Sequence, residues 1–287
     1  MKTLSTPQTH SSLRLPRPSL QSCICCFMTR DTYTSTAGEF WTLFPSSPFP
    51  GVIWTIHGHR EIIDKAGEYK YRKMDKSPMF YGVCPHPLRC RETENFSSFN
   101  MVLQPDVPHA LFGWDASAYL GDVIDANPLL PADWKALSKQ ISGASDHHDR
   151  QMIVEQFLEP RWAQIKANMS TPPSTASDWI HNIASRITIS KPGSSIRQIE
   201  RRFKAMIGMS QKQLKTLDRG EKTLLLARDI VLDGRKPDWS KLAAELGYYD
   251  QAHLCNEVKR MTGYSPQELA SLSQKNEDAF WVYRLWQ

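Results

Sequence analysis

Apolar and polar positions change rhythm part-way along this chain of 287 residues. Between Ser22 and Trp114 the apolar residues come in short runs rich in aromatic and β-branched side chains: Phe40–Phe44, Val52–Ile56, Met79–Val83 and Asn100–Leu103. Clusters of Pro and Gly separate them, at 45–51, 84–87 and 105–108. Runs this short, punctuated this way, predict the strands of a small sandwich or barrel. After about Ala110 the period lengthens. Ala116–Val123, Pro131–Ile141 and Ser145–Leu158 read as helices, the second opened by a proline and the third capped by Ser145. Residues 1–20 are polar, carry Pro and Ser, and are expected to be partly disordered. Residues 168–175 are small, polar and Pro-rich, which suits a linker. The expected organisation is a partly disordered 1–20, a β-rich unit at 21–167 that ends in helices, a linker at 168–175 and an all-helical unit at 176–287.

The helical unit contains a repeat. Arg202–Leu214 aligns with Glu257–Leu269 at a constant offset of 55, and Lys204, Met206, Gly208, Ser210 and Leu214 recur as Lys259, Met261, Gly263, Ser265 and Leu269. Each copy has an apolar stripe at i, i+4, i+7: Ile199, Phe203 and Met206, then Leu254, Val258 and Met261. That spacing lies on one face of an α-helix. Gly208 and Gly263 are placed to end those helices in a left-handed conformation, and Ser210 and Ser265 to cap the next ones. Before the second copy, Asp238–Gly247 reads as a short helix and a glycine turn, after which Asp250 caps a new helix. Ala243 supplies the small residue that two closely crossing helices need, with Leu242 and Leu246 facing the partner.

The polar faces of the repeated helices carry the chemistry. The first presents Arg197, Arg201 and Lys204, and the second Ala252, Asn256 and Lys259. Arg matches the guanine edge in two bonds, Asn and Gln match adenine, and Lys or Arg further along suits phosphate. Charge points the same way. From His181 to Gln287 there are eighteen Lys and Arg against twelve Asp and Glu, a net +6, whereas the whole chain is +5. A solvated basic face is the ordinary reading of one such helix. Two of them, each beside a turn signal, point to double-stranded DNA.

The segments Ser195–Ser210, Leu242–Leu254 and Thr262–Pro266 resemble the DNA-binding domain of the AraC/XylS family of bacterial transcription regulators, over about residues 176–270. The most specific pieces are Gly247-Tyr-Tyr-Asp-Gln-Ala-His253 and Thr262-Gly-Tyr-Ser-Pro266. The resemblance implies an α+β protein. Its N-terminal unit would be β-rich, jelly-roll or cupin-like, with helices after it. Its C-terminal unit would be all-α, with two helix-turn-helix subdomains joined by a long helix at about Gln211–Asp233. Base contacts would come from Arg197, Glu200, Arg201, Gln251, Ala252, Cys255 and Asn256. Phosphate contacts would come from Ser195, Arg202, Lys204, Lys259 and Arg260. The chain departs from the pattern before Ser195, where Ile189–Ser194 replaces an Ala-x3-Gly turn after an expected helix at Ser177–Ile187. Gly220, inside the joining helix, weakens it by ~1 kcal/mol relative to Ala. The same resemblance leaves a small-molecule effector in the N-terminal unit, a second copy of the chain and RNA polymerase open as further partners.

Other chemistry is thinner. His57, His59 and Glu61 would share one face of a strand if a strand ran through them, as in a metal-binding cupin with His109 as a later ligand, but Glu61 stands closer than that pattern expects. Of the six cysteines, Cys23, Cys25, Cys26, Cys84, Cys90 and Cys255, only Cys23 and Cys26 stand at C-x2-C spacing, with no second such pair to complete a zinc site, and the Cys23, Cys25 and Cys26 cluster and Cys84 with His86 and Cys90 are the hints of a thiol centre. A metal- or thiol-dependent enzyme or repair protein carrying a DNA-binding unit is the alternative. No catalytic residue, metal ligand or cofactor is assigned. No apolar run approaches membrane-spanning length, and a cytoplasmic protein is expected.

Overall fold

The computed structural model describes residues 8–33, 40–63, 72–74, 78–93, 95–169, 195–274 and 278–285, together with Ile180, Ile183 and Ser185. The described strands form two sheets with antiparallel pairing. The larger runs in the order β1 (Gln8–Arg14), β2 (Ile24–Tyr33), β9 (Ser97–Leu103), β4 (Gly51–His57), β7 (Met79–Tyr81) and β10 (Val123–Asp125). The smaller runs β3 (Phe40–Phe44), β8 (Leu88–Glu92), β5 (Arg60–Ile63) and β6 (Arg72–Met74). Ile53 and Met79 of the larger sheet pack against Ile62 and Cys90 of the smaller, which makes the two sheets a sandwich.

The outer face of the larger sheet is not solvated. Phe27, Trp54, Phe99 and Met101 bury against Trp134 and Leu137 of α2 (Ala132–Gly143) and Val154, Leu158 and Trp162 of α3 (His147–Ala167). A short helix α1 (Val107–Phe112) joins this layer through Val107. β9 is therefore buried at every position, and its sequence shows no alternation for that reason. The α+β class expected from the sequence is the one observed.

Three local expectations are corrected. Gln8–Arg14, inside the stretch expected to be disordered, is the edge strand β1, paired residue by residue with Phe27–Tyr33. A polar edge strand needs only the backbone ladder of its neighbour, and Ser12 adds a hydroxyl bond to Thr29 at 2.8 Å. Ala116–Val123 is not a helix. It is a 3-10 turn at Ala116–Tyr119, then Gly121 in the left-handed region (φ 72°), then β10. The third helix is capped by Asp146, which accepts from the Asp149 N–H at 2.8 Å, rather than by Ser145, and it continues past Pro160 to Ala167.

The helical unit comprises α4 (Ile196–Ile207), α5 (Gln211–Leu232), α6 (Trp239–Glu245), α7 (Gln251–Thr262), α8 (Pro266–Gln274) and α9 (Trp281–Leu285). The expected linker and the helix before α4 lie largely outside the described residues. Ile180, Ile183 and Ser185 of that stretch are helical, and both isoleucines bury against Phe203, Ile207 and Leu217. Val83 of the sandwich belongs to the same cluster. The units also join through a bond from the Ser46 N–H to the Met261 carbonyl at 2.8 Å. The aromatic segment after α8 packs on both sides. Trp281 and Val282 bury against Cys26, Met28 and Val102, Phe280 buries against Leu43 and Leu269, and the Trp281 Nε1–H donates to Thr42 at 2.9 Å. Beneath it, the buried Glu92 accepts from Arg60 at 2.5 Å and from Arg30 at 3.1 Å, while Arg30 also donates to Asp278 at 2.9 Å.

Candidate nucleic-acid interface

Each repeated helix is bounded by the residues its sequence offers for the purpose. Ser195 accepts from the Gln198 N–H at 3.3 Å and its own N–H donates to the Gln198 side chain at 2.9 Å, a complete capping box for α4. Asp250 accepts from the His253 N–H at 2.7 Å and starts α7. Gly208 (φ 96°) and Gly263 (φ 84°) end the two helices in the left-handed region. Ser210 with Gln213, and Ser265 with Glu268, then cap α5 and α8.

The second unit is held from below by a core and a polar lock. Leu242 and Ala243 of α6 bury against Leu254 and Val258 of α7, with Ala227 of α5 and Tyr248 completing the cluster. Gly247 (φ 71°) makes the turn between α6 and α7. Glu257, on the inner side of α7, pairs with Arg219 of α5 at 2.8 Å. The Arg219 guanidinium also lies 4.2 Å from the Tyr248 ring centroid, and the Tyr248 hydroxyl meets Thr223 at 2.9 Å. Burial pushes the Tyr248 phenol up to about 12, so it stays a neutral hydrogen-bonding group. Gly220 is interior to α5, and a Cβ there would fall 1.9 Å from Met261 Sδ. The helix gives up propensity at this position in exchange for a close crossing of α5 by α7.

The outward faces match the sequence expectation in most positions. Arg197, Glu200, Arg201 and Lys204 are all exposed on α4, as are Gln251, Ala252, Asn256, Lys259 and Arg260 on α7, and Ser195 is exposed at its cap. Two expected residues are placed differently. Arg202 is half-buried rather than on the open face. Cys255 is half-buried against the Leu242–Leu254 cluster, and desolvation raises its thiol pKa. Both stand at the margin of a 3.6-residue stripe, where a small rotation of the helix decides the side. Three exposed groups were not singled out from the sequence. Ile196 at the first turn of α4 is 77% exposed, and Tyr249 in the α6–α7 turn is 92% exposed. His253 accepts from the Tyr249 N–H at 3.4 Å and packs edge-on to Tyr248. An apolar residue at a helix start and an aromatic in a turn were the signals to follow.

α5 spans 22 residues. At 1.5 Å per residue it is about 33 Å long, close to the roughly 34 Å of one turn of B-DNA.

Of the residues of the enzymatic alternative, His59 and Glu61 come within 3.5 Å of each other, but no third ligand joins them among the described residues. No single strand carries His57, His59 and Glu61, because β4 ends at His57, Gly58 turns the chain (φ 68°) and β5 begins at Arg60. Glu61 is held by Arg91 at 2.6 Å, and His109 Nδ1 is bonded to the Trp114 carbonyl at 3.0 Å. Among the described residues no group of three metal-ligating side chains comes together. Burial pushes the Cys90 thiol up to about 12, which removes it as a thiolate, and the Cys84 thiol donates to the His86 carbonyl at 2.9 Å. Among the described residues no helix is long and apolar enough to cross a membrane.

A cavity of about 520 Å³ lies between the sandwich and the helical unit, lined by Ile53, Ile62 and Tyr81 on one side and by Glu221, Leu224 and Val231 of α5 on the other.

No family model and no curated protein matches the chain. Among solved structures it is similar to ToxT from Vibrio cholerae. One ToxT crystal form aligns at 10% identity and TM-score 0.37, over 86% of this chain and 98% of ToxT. ToxT bound to (E)-4-(8-methylnaphthalen-1-yl)but-3-enoic acid aligns at 11% and 0.38 over the same shares, and unsaturated fatty acid bound ToxT at 10% and 0.34, over 94% of this chain and 97% of ToxT. So distant a likeness bears no weight in the reading that follows.

Proposed function

We propose that the chain is a sequence-specific DNA-binding transcription regulator of the AraC type, acting in the cytoplasm and not as an enzyme. The observation that carries this is the pair α4 and α7. Each is capped, ends in a left-handed glycine, runs into a second capped helix and turns a row of polar and basic side chains outward. α5 joins the two, and in this reading they enter successive major grooves.

In this reading Arg197, Glu200 and Arg201 read bases in one half-site, and Gln251, Ala252 and Asn256 read them in the other. Cys255 contributes at most its edge. Ser195, Lys204, Lys259 and Arg260 hold phosphates, and Arg202 acts more through packing than through contact. An effector occupies the cavity against α5, and RNA polymerase and a second copy of the chain are the protein partners of such a regulator.

The test is selection of genomic fragments by the purified protein, with Arg201→Ala alongside. A shared motif of two short half-sites about one helical turn apart, lost in the variant, supports the reading. Recovery of the same fragments by both proteins sinks it.

A further inference from the structure

The cavity between the sandwich and α5 is lined by one carboxyl group without a partner among the described residues. Glu221 is half-buried and forms part of the cavity wall. Among the described residues its carboxyl makes no hydrogen bond or ion pair. The other charges nearby are matched. Asp218 and Lys222, on the same helix, pair with each other at 2.9 Å. Arg60 is held by Glu92 at 2.5 Å, and Arg228 by Asp229 at 2.5 Å. With every group ionised, the cavity therefore carries one unbalanced negative charge. The rest of the lining is mostly apolar, including Phe44, Ile53, Leu224 and Val231.

We propose that this cavity binds an apolar molecule bearing a single amine, with the Glu221 carboxylate as the counterion. This deepens the effector part of the regulator reading and rests on that reading only for its biological consequence, since binding itself is measured without DNA. An ammonium brings the charge that Glu221 lacks into a low-dielectric site, where such a pair is strongest. An anionic molecule would find the charges of Arg60 and Arg228 already balanced by Glu92 and Asp229 and would set a second acid beside Glu221. The volume lies in the range of small-molecule sites. Arg228 keeps Nη1 without a partner, as does the Tyr283 hydroxyl, so the far end of the molecule can carry a neutral acceptor. Arg228 stands seven residues beyond Glu221, about 10 Å along the helix.

The carboxyl titrates in an accessible range. Burial, with Asp218 adding to it, pushes Glu221 up to about 8. The neighbouring groups behave differently. Cys26, on β2, is raised by its bond to Cys25 and by burial, and burial raises Cys90, Tyr81 and Tyr283. Cys25 and Cys84 are the remaining thiols, and comparison with a Glu221 variant isolates the contribution of the carboxyl. The empty site holds a proton at pH 7 that an ammonium displaces, so amine affinity rises with pH until the site is ionised.

Calorimetric titration of the full chain with decylamine, decanol and decanoate, at pH 7 and pH 9, tests this. Decylamine should bind tightest, release close to one proton per molecule at pH 7, and tighten by about tenfold at pH 9. In Glu221→Gln the advantage of the amine over the alcohol should vanish with the pH dependence, while decanol still binds. Decanoate or decanol binding as tightly as decylamine would overturn the proposal. So would an amine affinity indifferent to pH and to Glu221→Gln, or no binding by any of the three. If the variant does not fold, proton release and the pH dependence in the unaltered chain decide.

Discussion

The two recognition units are repeats in sequence and differ in what supports them. The second is built within the helical unit: α6, α5 and Tyr248 supply its core, and Arg219–Glu257 locks α7 to α5. The first leans on the sandwich. Its cluster includes Val83, and a Cβ on Gly208 would come within 3.0 Å of the Ala116 carbonyl. α7 thus rests on a core within its own subdomain and meets the sandwich at its last turn, where Met261 accepts from Ser46, whereas the core beneath α4 is itself shared with the sandwich. Where duplication copies a motif, the support beneath each copy is free to diverge, and a change in the N-terminal unit reaches α4 through Val83 and Ala116 and α7 through the bond from Ser46 to Met261.

The largest test of this contrast is in the two cores. Phe203→Ala should destabilise by about 3–5 kcal/mol and Leu254→Ala by about 2–5 kcal/mol. Hydrogen exchange should show the first loosening Val83 and its surroundings as well as α4, and the second confined to α6 and α7. Equal spread into the sandwich from both would erase the distinction. Glu221→Gln, on the helix that joins the units, should stabilise both together. The folded chain holds a proton on this acid between about pH 4.5 and 8 that the unfolded chain has released, so stability falls as pH rises through that window and levels off above it. At pH 7 the gain from glutamine should be on the order of 3 kcal/mol in urea unfolding, and it should shrink toward pH 4.5. A gain independent of pH would mean the acid is not protonated in the folded chain.

Binding effects come next. Arg201→Ala should cost about 1–3 kcal/mol on a selected site and relax the sequence preference at one position, whereas Lys259→Ala should weaken all sequences alike and flatten the salt dependence by about one unit. Equal losses on specific and random DNA for both would remove the division of roles. The smallest effect is at the caps. Asp250→Ala and Ser195→Ala should each cost about 1 kcal/mol in thermal unfolding. The Ser195 change should also lower DNA affinity more than its stability cost explains if the hydroxyl meets phosphate.

Local chemistry was what the sequence made legible. Gly208, Gly263, Ser210, Ser265 and Asp250 act by backbone conformation or by bonds to residues within four positions, and each does what its pattern implies. β1 was invisible because its polar residues carry no period, and its pairing depends on a strand ten or more residues away. Ala116–Val123 has helical composition, but Gly121 and the pairing of β10 with β7 override it. Arg202 and Cys255 lie where the face of a helix shades into its core, a boundary set by tertiary rotation. Glu221 was the least legible. In sequence it is an acid beside a lysine on an amphipathic helix, and only the approach of the sandwich turns it into a cavity-lining group.

The bond from Arg30 to Asp278 joins residues 248 positions apart. A ribosome working at roughly 5–20 residues per second needs about 12–50 seconds to pass from one to the other. Throughout that interval the sandwich can assemble its strands, but Arg30 has only part of its final set of acceptors and Trp281 has not yet covered the sheet at Cys26 and Val102. The emerging N-terminal unit therefore presents an apolar patch to the cell until the helical unit is made. Yield of this protein should depend on chaperone supply and translation speed more than its final stability suggests.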